Sequence, residues 1–316
     1  LDSLLSRFAE DSYWMARYIE RAESLARILD VTETFGHGHD AGANWAQVLD
    51  LFDDRSAYKK RHGAIQARNV IRFYILDKNN QNSIIASLGA AHNNARTLRH
   101  LISVEMWTHL NVFYNELLDL RVRDVTQQRL SVVCQDIKHG CQLFQGSTQN
   151  TLYRDQVWQF YRIGRLLERC DQTTRLIDIK TSSVLAGKRT VADGIDVSQW
   201  HSLLRAASSY HGYLRVNPRQ VSAELVAGYV LFDPGFPGSL TFCTKELGDA
   251  LNGLQDFVDK PVMGAVKRQL RVLEKLAKPA PAKVAEGTLH DYLDSVQAEL
   301  TKLHFALGKQ FFPKAD

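Results

Sequence analysis

The chain has 316 residues, 45% hydrophobic and 23% charged, the balance of a globular protein rather than a disordered or fibrous one. Lysine and arginine exceed aspartate and glutamate by 39 − 35 = +4, and the charges are interspersed, so no basic arm or acidic tail points to nucleic acid. No run reaches the roughly 18 consecutive apolar residues that span a bilayer. Acidic residues stand in LDSLLSRFAEDSYWMARYIER where a secretory signal would have an apolar core, so no membrane association and a cytoplasmic location are expected.

The first long helix is expected over about residues 3 to 35 and carries Arg17-Tyr18-Ile19-Glu20-Arg21-Ala22-Glu23, then Arg27 and Asp30. At about 100° per residue, with Arg17 as zero, Glu20, Glu23, Arg27 and Asp30 fall between about 220° and 300°. Trp14, Met15, Tyr18, Ile19, Ala22 and Leu25 lie on the apolar side, so the helix is amphipathic with a charged stripe. Glu23 and Arg27, four apart, read as a surface ion pair worth a few tenths of a kcal/mol. Arg21, at about 40° on the same wheel, is expected to turn toward the buried side.

Glycine-rich Gly36-His-Gly-His-Asp-Ala-Gly-Ala43 is the clearest loop. Its two histidines and Asp40 could in principle hold a metal, but ligands on a flexible connector lack the rigid support that metal sites need. Further helices are expected over about 43 to 54, 62 to 76, 82 to 102, 104 to 119 and 125 to 146. Asn82-Ser83 supplies a cap for the fourth of these six. Where that helix meets the next, Arg96, Arg99, Glu105 and Trp107 form a cluster of charges with an aromatic, a possible partner or ligand surface.

From residue 149 onward the pattern returns. Arg165-Leu166-Leu167-Glu168-Arg169-Cys170-Asp171, with Arg175 and Asp178, repeats the first helix at a shift of 148. Trp45-Ala-Gln-Val48-Leu49 is answered by Trp200-His-Ser-Leu203-Leu204, and Asp77 with Ser83 by Asp233 with Ser239. Three markers in order point to a tandem duplication. The expected fold is therefore all-α, a multi-helix bundle of two pseudo-twofold-related six-helix units without a sheet, one over 1–148 and one over 149–316, packed as one domain. Second-unit helices are expected over about 151 to 183, 197 to 213, 218 to 232, 238 to 257, 262 to 277 and 288 to 309. Gly238-Ser239 marks one start, and Thr288 with Asp291 resembles a capping box at another. The stretch matching the Arg96–Trp107 cluster, Asp249 to Met263, lacks its arginine, glutamate and tryptophan, so that cluster belongs to one half only.

Four cysteines, Cys134, Cys141, Cys170 and Cys243, sit in apolar helical patterns with no CxxC, as reduced core thiols would. There is no GxxxxGK[ST], HExxH or GxSxG, and the nearest approach to a Glu-x-x-His metal ligand pair is Asp136-x-x-His139, so no cofactor or metal is expected. Buried arginines need carboxylate partners. The two long helices are accordingly expected to pack together, with Arg21 reaching Glu168 and Arg169 reaching Glu20, as a polar lock. Arg17, Arg21, Arg165 and Arg169 could alternatively clamp a carboxylate or phosphate.

These residues resemble the bacterial alpha-E family, a helical domain named for an ER motif. The resemblance is carried by Leu5-Ser6-Arg7, Tyr13 to Glu23, the block Asn94-Ala95-Arg96 to Trp107, and Tyr161-Arg162-Ile163-Gly164-Arg165-Leu166-Leu167-Glu168-Arg169. It implies a setting beside, or fused to, a circularly permuted ATP-grasp ligase, often with a transglutaminase-like protein, in the making or modifying of a peptide or amide-linked molecule. Since no ATP-grasp segment is present, the expected role is a non-catalytic accessory or interaction subunit. The alternatives are a transferase or hydrolase of amide-type substrates using Glu20, Glu168 and neighbouring arginines, or a structural scaffold or homo-oligomer.

Overall fold

The computed structural model describes residues 3–35, 41–186, 194–255, 257, 260–280 and 288–312. Among them are fourteen α-helices, one 3₁₀ turn and no strand. In chain order these are α1 (Ser3–Phe35), α2 (Ala41–Leu51), α3 (Arg55–His62), α4 (Ala67–Ile75), α5 (Ile84–Thr97), α6 (Val104–Asp119), the turn Gln127–Arg129 and α7 (Leu130–Thr151). There follow α8 (Gln156–Ala186), α9 (Gly194–Ala206), α10 (Tyr210–Val216), α11 (Ala223–Phe232), α12 (Leu240–Gly253), α13 (Lys260–Leu276) and α14 (Leu289–Phe311). The all-α expectation holds, and no helix is long and apolar enough to cross a membrane.

Two compact units are formed, but the division differs from 1–148 and 149–316. The smaller unit is Met15–Tyr153; the larger joins Leu1–Trp14 to Arg154–Asp316, so the first turns of α1 belong with the chain's second half. In the smaller unit, α5, α6 and α7 pack in succession, with α2, α3 and α4 against one another. In the larger, α8 packs on α12 and α14, and α13 on α12 and α14. The cores are aliphatic and aromatic: Leu88, Met106, Leu110 and Phe144 are fully buried in one, Ile163, Leu247, Leu293 and Leu303 in the other.

Among the described residues, α1 to α7 and α8 to α14 make seven helices in each half of the chain, not six. Both additional helices follow a non-glycine residue in the left-handed region, Asp53 at φ 56° and Ser208 at φ 57°. At the first, Asp54 N–H donates to Leu49 O (2.8 Å) and Asp53 N–H to Asp50 O (3.1 Å); at the second, Ser209 N–H donates to Leu204 O (2.8 Å) and Ser208 N–H to Arg205 O (3.0 Å). These are the paired bonds of a Schellman stop. It ends α2 and α9 and lets α3 and α10 begin at once. A glycine would have announced such a stop; Asp and Ser do not.

The cap markers also recur in detail. Ser83 Oγ donates to Asp77 O (2.7 Å) and accepts from Ala86 N–H (3.2 Å). Ser239 Oγ donates to Asp233 O (2.6 Å) and accepts from Phe242 N–H (3.0 Å). The side chains of Asp77 and Asp233 each accept a backbone N–H two residues on. Each Ser thus ties the start of its helix to the turn before it. Thr288, in contrast, makes no side-chain cap, so the capping box expected with Asp291 does not form.

Candidate functional site

Beyond Trp14, α1 buries Met15, Ile19, Ala22, Leu25, Ala26 and Leu29, as its apolar side requires. Its charged stripe is not on the surface, however: Glu20 is 7% and Glu23 6% exposed, with Arg27 and Asp30 half-buried, and Arg17 outside the stripe is buried too. Helix α7 covers the stripe with polar residues spaced to match. Glu23 Oε1 accepts from Arg27 Nη2 (2.6 Å) and Gln142 Nε2 (3.1 Å), and Glu23 Oε2 from Gln145 Nε2 (2.9 Å). The same Gln145 amide reaches Glu20 Oε2 at 3.5 Å, and Lys138 pairs with Asp30 at 2.6 Å.

The reading of Glu23–Arg27 as a solvated surface pair is therefore corrected. A buried carboxylate with three donors is a structural anchor, not a free base. Cys141, wholly buried on α7, has its thiol pushed well up by burial and then by Glu23 and Glu20, so it stays protonated and is no nucleophile.

The second ER pair lies in the larger unit, on α8. Glu168 is fully buried and its Oε1 accepts from Gln172 Nε2 at 3.0 Å, while Arg165 and Arg169 are half-buried. The Arg165 Nε is buried without a hydrogen-bond partner. On either side Arg162 pairs with Glu246 (2.8 Å) and Arg175 with Asp171 (2.9 Å). The wheel had turned Arg21 inward, and Arg169 was expected to follow it less cleanly. Instead the acid is the buried member in both, and Arg21 is half-buried with its guanidinium 5.8 Å from the Tyr18 ring. A wheel assumes one buried face, and α1 has two. Arg17, Glu20 and Arg21 belong to the smaller unit, and Arg165, Glu168 and Arg169 to the larger.

One glycine sets how closely α8 approaches α1 inside the larger unit. A Cβ on Gly164 would fall 2.9 Å from the Tyr13 carbonyl carbon and 3.1 Å from its Cα, closer still to the oxygen. Nearby, Ser12 Oγ donates to Val157 O (2.8 Å), and the Tyr13 hydroxyl bonds His304 Nδ1 (2.8 Å).

At the α5–α6 corner, Trp107 and Arg99 come together, with the guanidinium 5.2 Å from the indole. The centre of the cluster is a residue that the sequence did not single out. The His92 ring lies between Trp107 (5.1 Å) and Tyr114 (4.9 Å), its Nε2 bonded to Asn111 Oδ1 at 3.0 Å. The signal was the spacing: His92 on α5 with Arg99 seven residues on in the turn that follows, and Trp107, Asn111 and Tyr114 at four- and three-residue steps on α6. Glu105 plays a local part. It sits in the first turn of α6, where its own backbone N–H and the Ser103 hydroxyl lower its pKa. Arg96 is exposed, with no hydrogen bond or ion pair among the described residues.

Asp178, His290 and Asp294 are the one described group with ligand atoms close enough for a metal. Asp178 lies 2.6 Å from His290 Nδ1 and Asp294 3.7 Å from Nε2, on opposite edges of the ring. That arrangement suits an imidazolium held between two carboxylates, and Asp178 raises the imidazole pKa accordingly. The loop ligands His37, His39 and Asp40 lie outside the described residues.

One carboxyl titrates near neutrality. Asp11, half-buried on α1 in the larger unit with Oδ2 buried and unbonded, is pushed up to about 6 by burial, against the pull of Arg7. Because its folded pKa lies above the ordinary 3.8, the unfolded chain loses this proton first, and the contribution to stability falls as pH rises from about 4 through 6. Asp11→Asn is expected to match the native protein at pH 4 and to exceed it by about 1 kcal/mol at pH 7, after discounting for solvent screening. Urea unfolding at the two pH values measures this; an equal difference at both would remove Asp11 as the cause.

The model of the Alpha-E family, described as a predicted alpha-helical domain with a conserved ER motif, matches residues 4–312. Two uncharacterized proteins, one of Mycobacterium bovis and one of Mycobacterium tuberculosis, are each 24% identical over 94% of this chain. The chain spans only 34% of the length of either relative. No solved structure matches it. With the two Glu-Arg pairs on long helices of an all-α fold and the family match over nearly its whole length, the chain belongs to the Alpha-E family.

Proposed function

We propose that this protein is a cytoplasmic, non-catalytic helical accessory subunit that acts with an ATP-grasp-type ligase, and with a transglutaminase-like protein where one is present, in forming or modifying a peptide or amide bond. The observation that carries the reading is the family match, taken with the state of the buried acid beside the first ER pair. Glu23 has both oxygens engaged by Arg27, Gln142 and Gln145, so three donors stabilise its ionised form and oppose its use in proton transfer. Glu20 and Glu168 are likewise engaged rather than free. The local recurrence of caps and stops at shifts of 155 and 156 supports an origin by duplication of one helical unit.

That the relatives are about three times as long also supports a cooperative role, since there the matching stretch is joined to further polypeptide. The test is reconstitution of ATP-dependent ligation by an ATP-grasp ligase encoded beside the chain, with and without it. Omission is expected to lower product formation at least tenfold, and the isolated chain to turn over nothing. Full ligation without the chain would overturn the accessory role, and turnover by the chain alone would favour the transferase or hydrolase reading.

A further inference from the structure

Helices α6 and α7 of the smaller unit run antiparallel, with Ser103 bonded to Thr151 (2.7 Å) and His109 to Ser147 (2.7 Å). Further along, Phe113 lies where a Cβ on Gly140 would meet its ring at 2.5 Å. Between them runs an open groove of about 930 Å³. Its floor is apolar, built from Phe113, Leu117, Val133 and Ile137, and its walls carry Val112 and Leu143, 49% and 54% exposed.

Besides the imidazoles of His109 and His139, the ionisable groups that line the groove are acids. Glu116 and Asp136 line the groove, the antiparallel register sets them across from each other, and neither makes an ion pair or hydrogen bond among the described residues. No lysine or arginine lines it. Half-exposed aliphatics between two unpaired carboxylates are complementary to a ligand that is apolar along one side and cationic beside it. The length of α6, 16 residues or about 24 Å, suits a third helix lying in the seam.

We infer that the α6–α7 groove is a docking site for an amphipathic helix of a partner polypeptide, with aliphatic residues at i, i+3, i+4 and i+7 and lysine or arginine flanking them. A second copy of this chain fits poorly, because a twofold contact through the groove would set Glu116 and Asp136 against their own equivalents. An anionic lipid surface is repelled by the same carboxylates. The inference goes beyond the accessory reading: it names a surface and the chemistry that fills it, whichever enzyme carries the helix.

The test uses the full chain and two labelled 16-residue synthetic helices, one of leucine and lysine and one of leucine and glutamate, with fluorescence anisotropy as readout. The lysine helix is expected to bind at least tenfold more tightly. Leu143→Glu should weaken it by a further tenfold or more, and the double variant Glu116→Lys, Asp136→Lys should reverse the preference. All three positions are exposed, and circular dichroism melting checks that each variant folds. Equal binding of both helices, or binding unmoved by either variant, would overturn the proposal. So would self-association in sedimentation velocity that Leu143→Glu abolishes, since the occupant is then a second copy. Intact helix binding with no effect of the chain on ligation would defeat the accessory reading and leave this one standing.

Discussion

Gly164→Ala is expected to unfold the larger unit or to destabilise it by about 4 kcal/mol, read as a fall in the midpoint of urea unfolding. Intrinsic helix propensity argues the other way, since alanine in a helix interior is favoured over glycine by about 1 kcal/mol. Geometry decides, because the added methyl meets the backbone of Tyr13 and not a side chain that could swing aside. Relief requires α8 and the start of α1 to move apart, which breaks the Ser12–Val157 bond as well. Gly146, on α7, supplies the control: nothing lies within 4 Å of its Cβ position, so Gly146→Ala should follow propensity and stabilise by up to about 1 kcal/mol. Equal and opposite-to-expected shifts at the two positions would show that the close approach of α8 to Tyr13 is not what holds the larger unit.

Glu23→Ala is expected to cost the smaller unit about 3 kcal/mol, because one truncation leaves Arg27, Gln142 and Gln145 without their shared acceptor beneath a covered face. Arg27, the most exposed of the group's charged members, recovers part of this by turning to water. Glu23→Gln separates charge from packing: it keeps one acceptor oxygen but points an amide N–H₂ at donors, so about half the loss should remain. If Glu23→Ala costs no more than a few tenths of a kcal/mol, α7 does not seal the stripe and the pair is the surface contact that its spacing alone suggests.

That contrast shows where sequence reasoning reached and where it stopped. A helical wheel reports which residues share a face, not what lies over that face. Glu20, Glu23, Arg27 and Asp30 did share one, but Lys138, Gln142 and Gln145 on α7 have side chains that look solvent-facing, and only the fold shows them turned onto α1. The serine caps were legible because a cap is a local device: Ser83 and Ser239 act on atoms within six residues of themselves. The breaks after α2 and α9 were not, since Asp53 and Ser208 hold a backbone conformation that their side chains do not advertise. At the α5–α6 corner the arginine and tryptophan were visible as chemistry, whereas His92 gains its place only from two rings that close on it.

The four cysteines are buried, and they fall two to each unit: Cys134 and Cys141 in the smaller, Cys170 and Cys243 in the larger. A thiol reagent added to the native protein can react only when the helix carrying the target opens. Variants that keep a single pair therefore turn labelling into a clock for one unit at a time, and the chain carries its own means of timing how each half breathes.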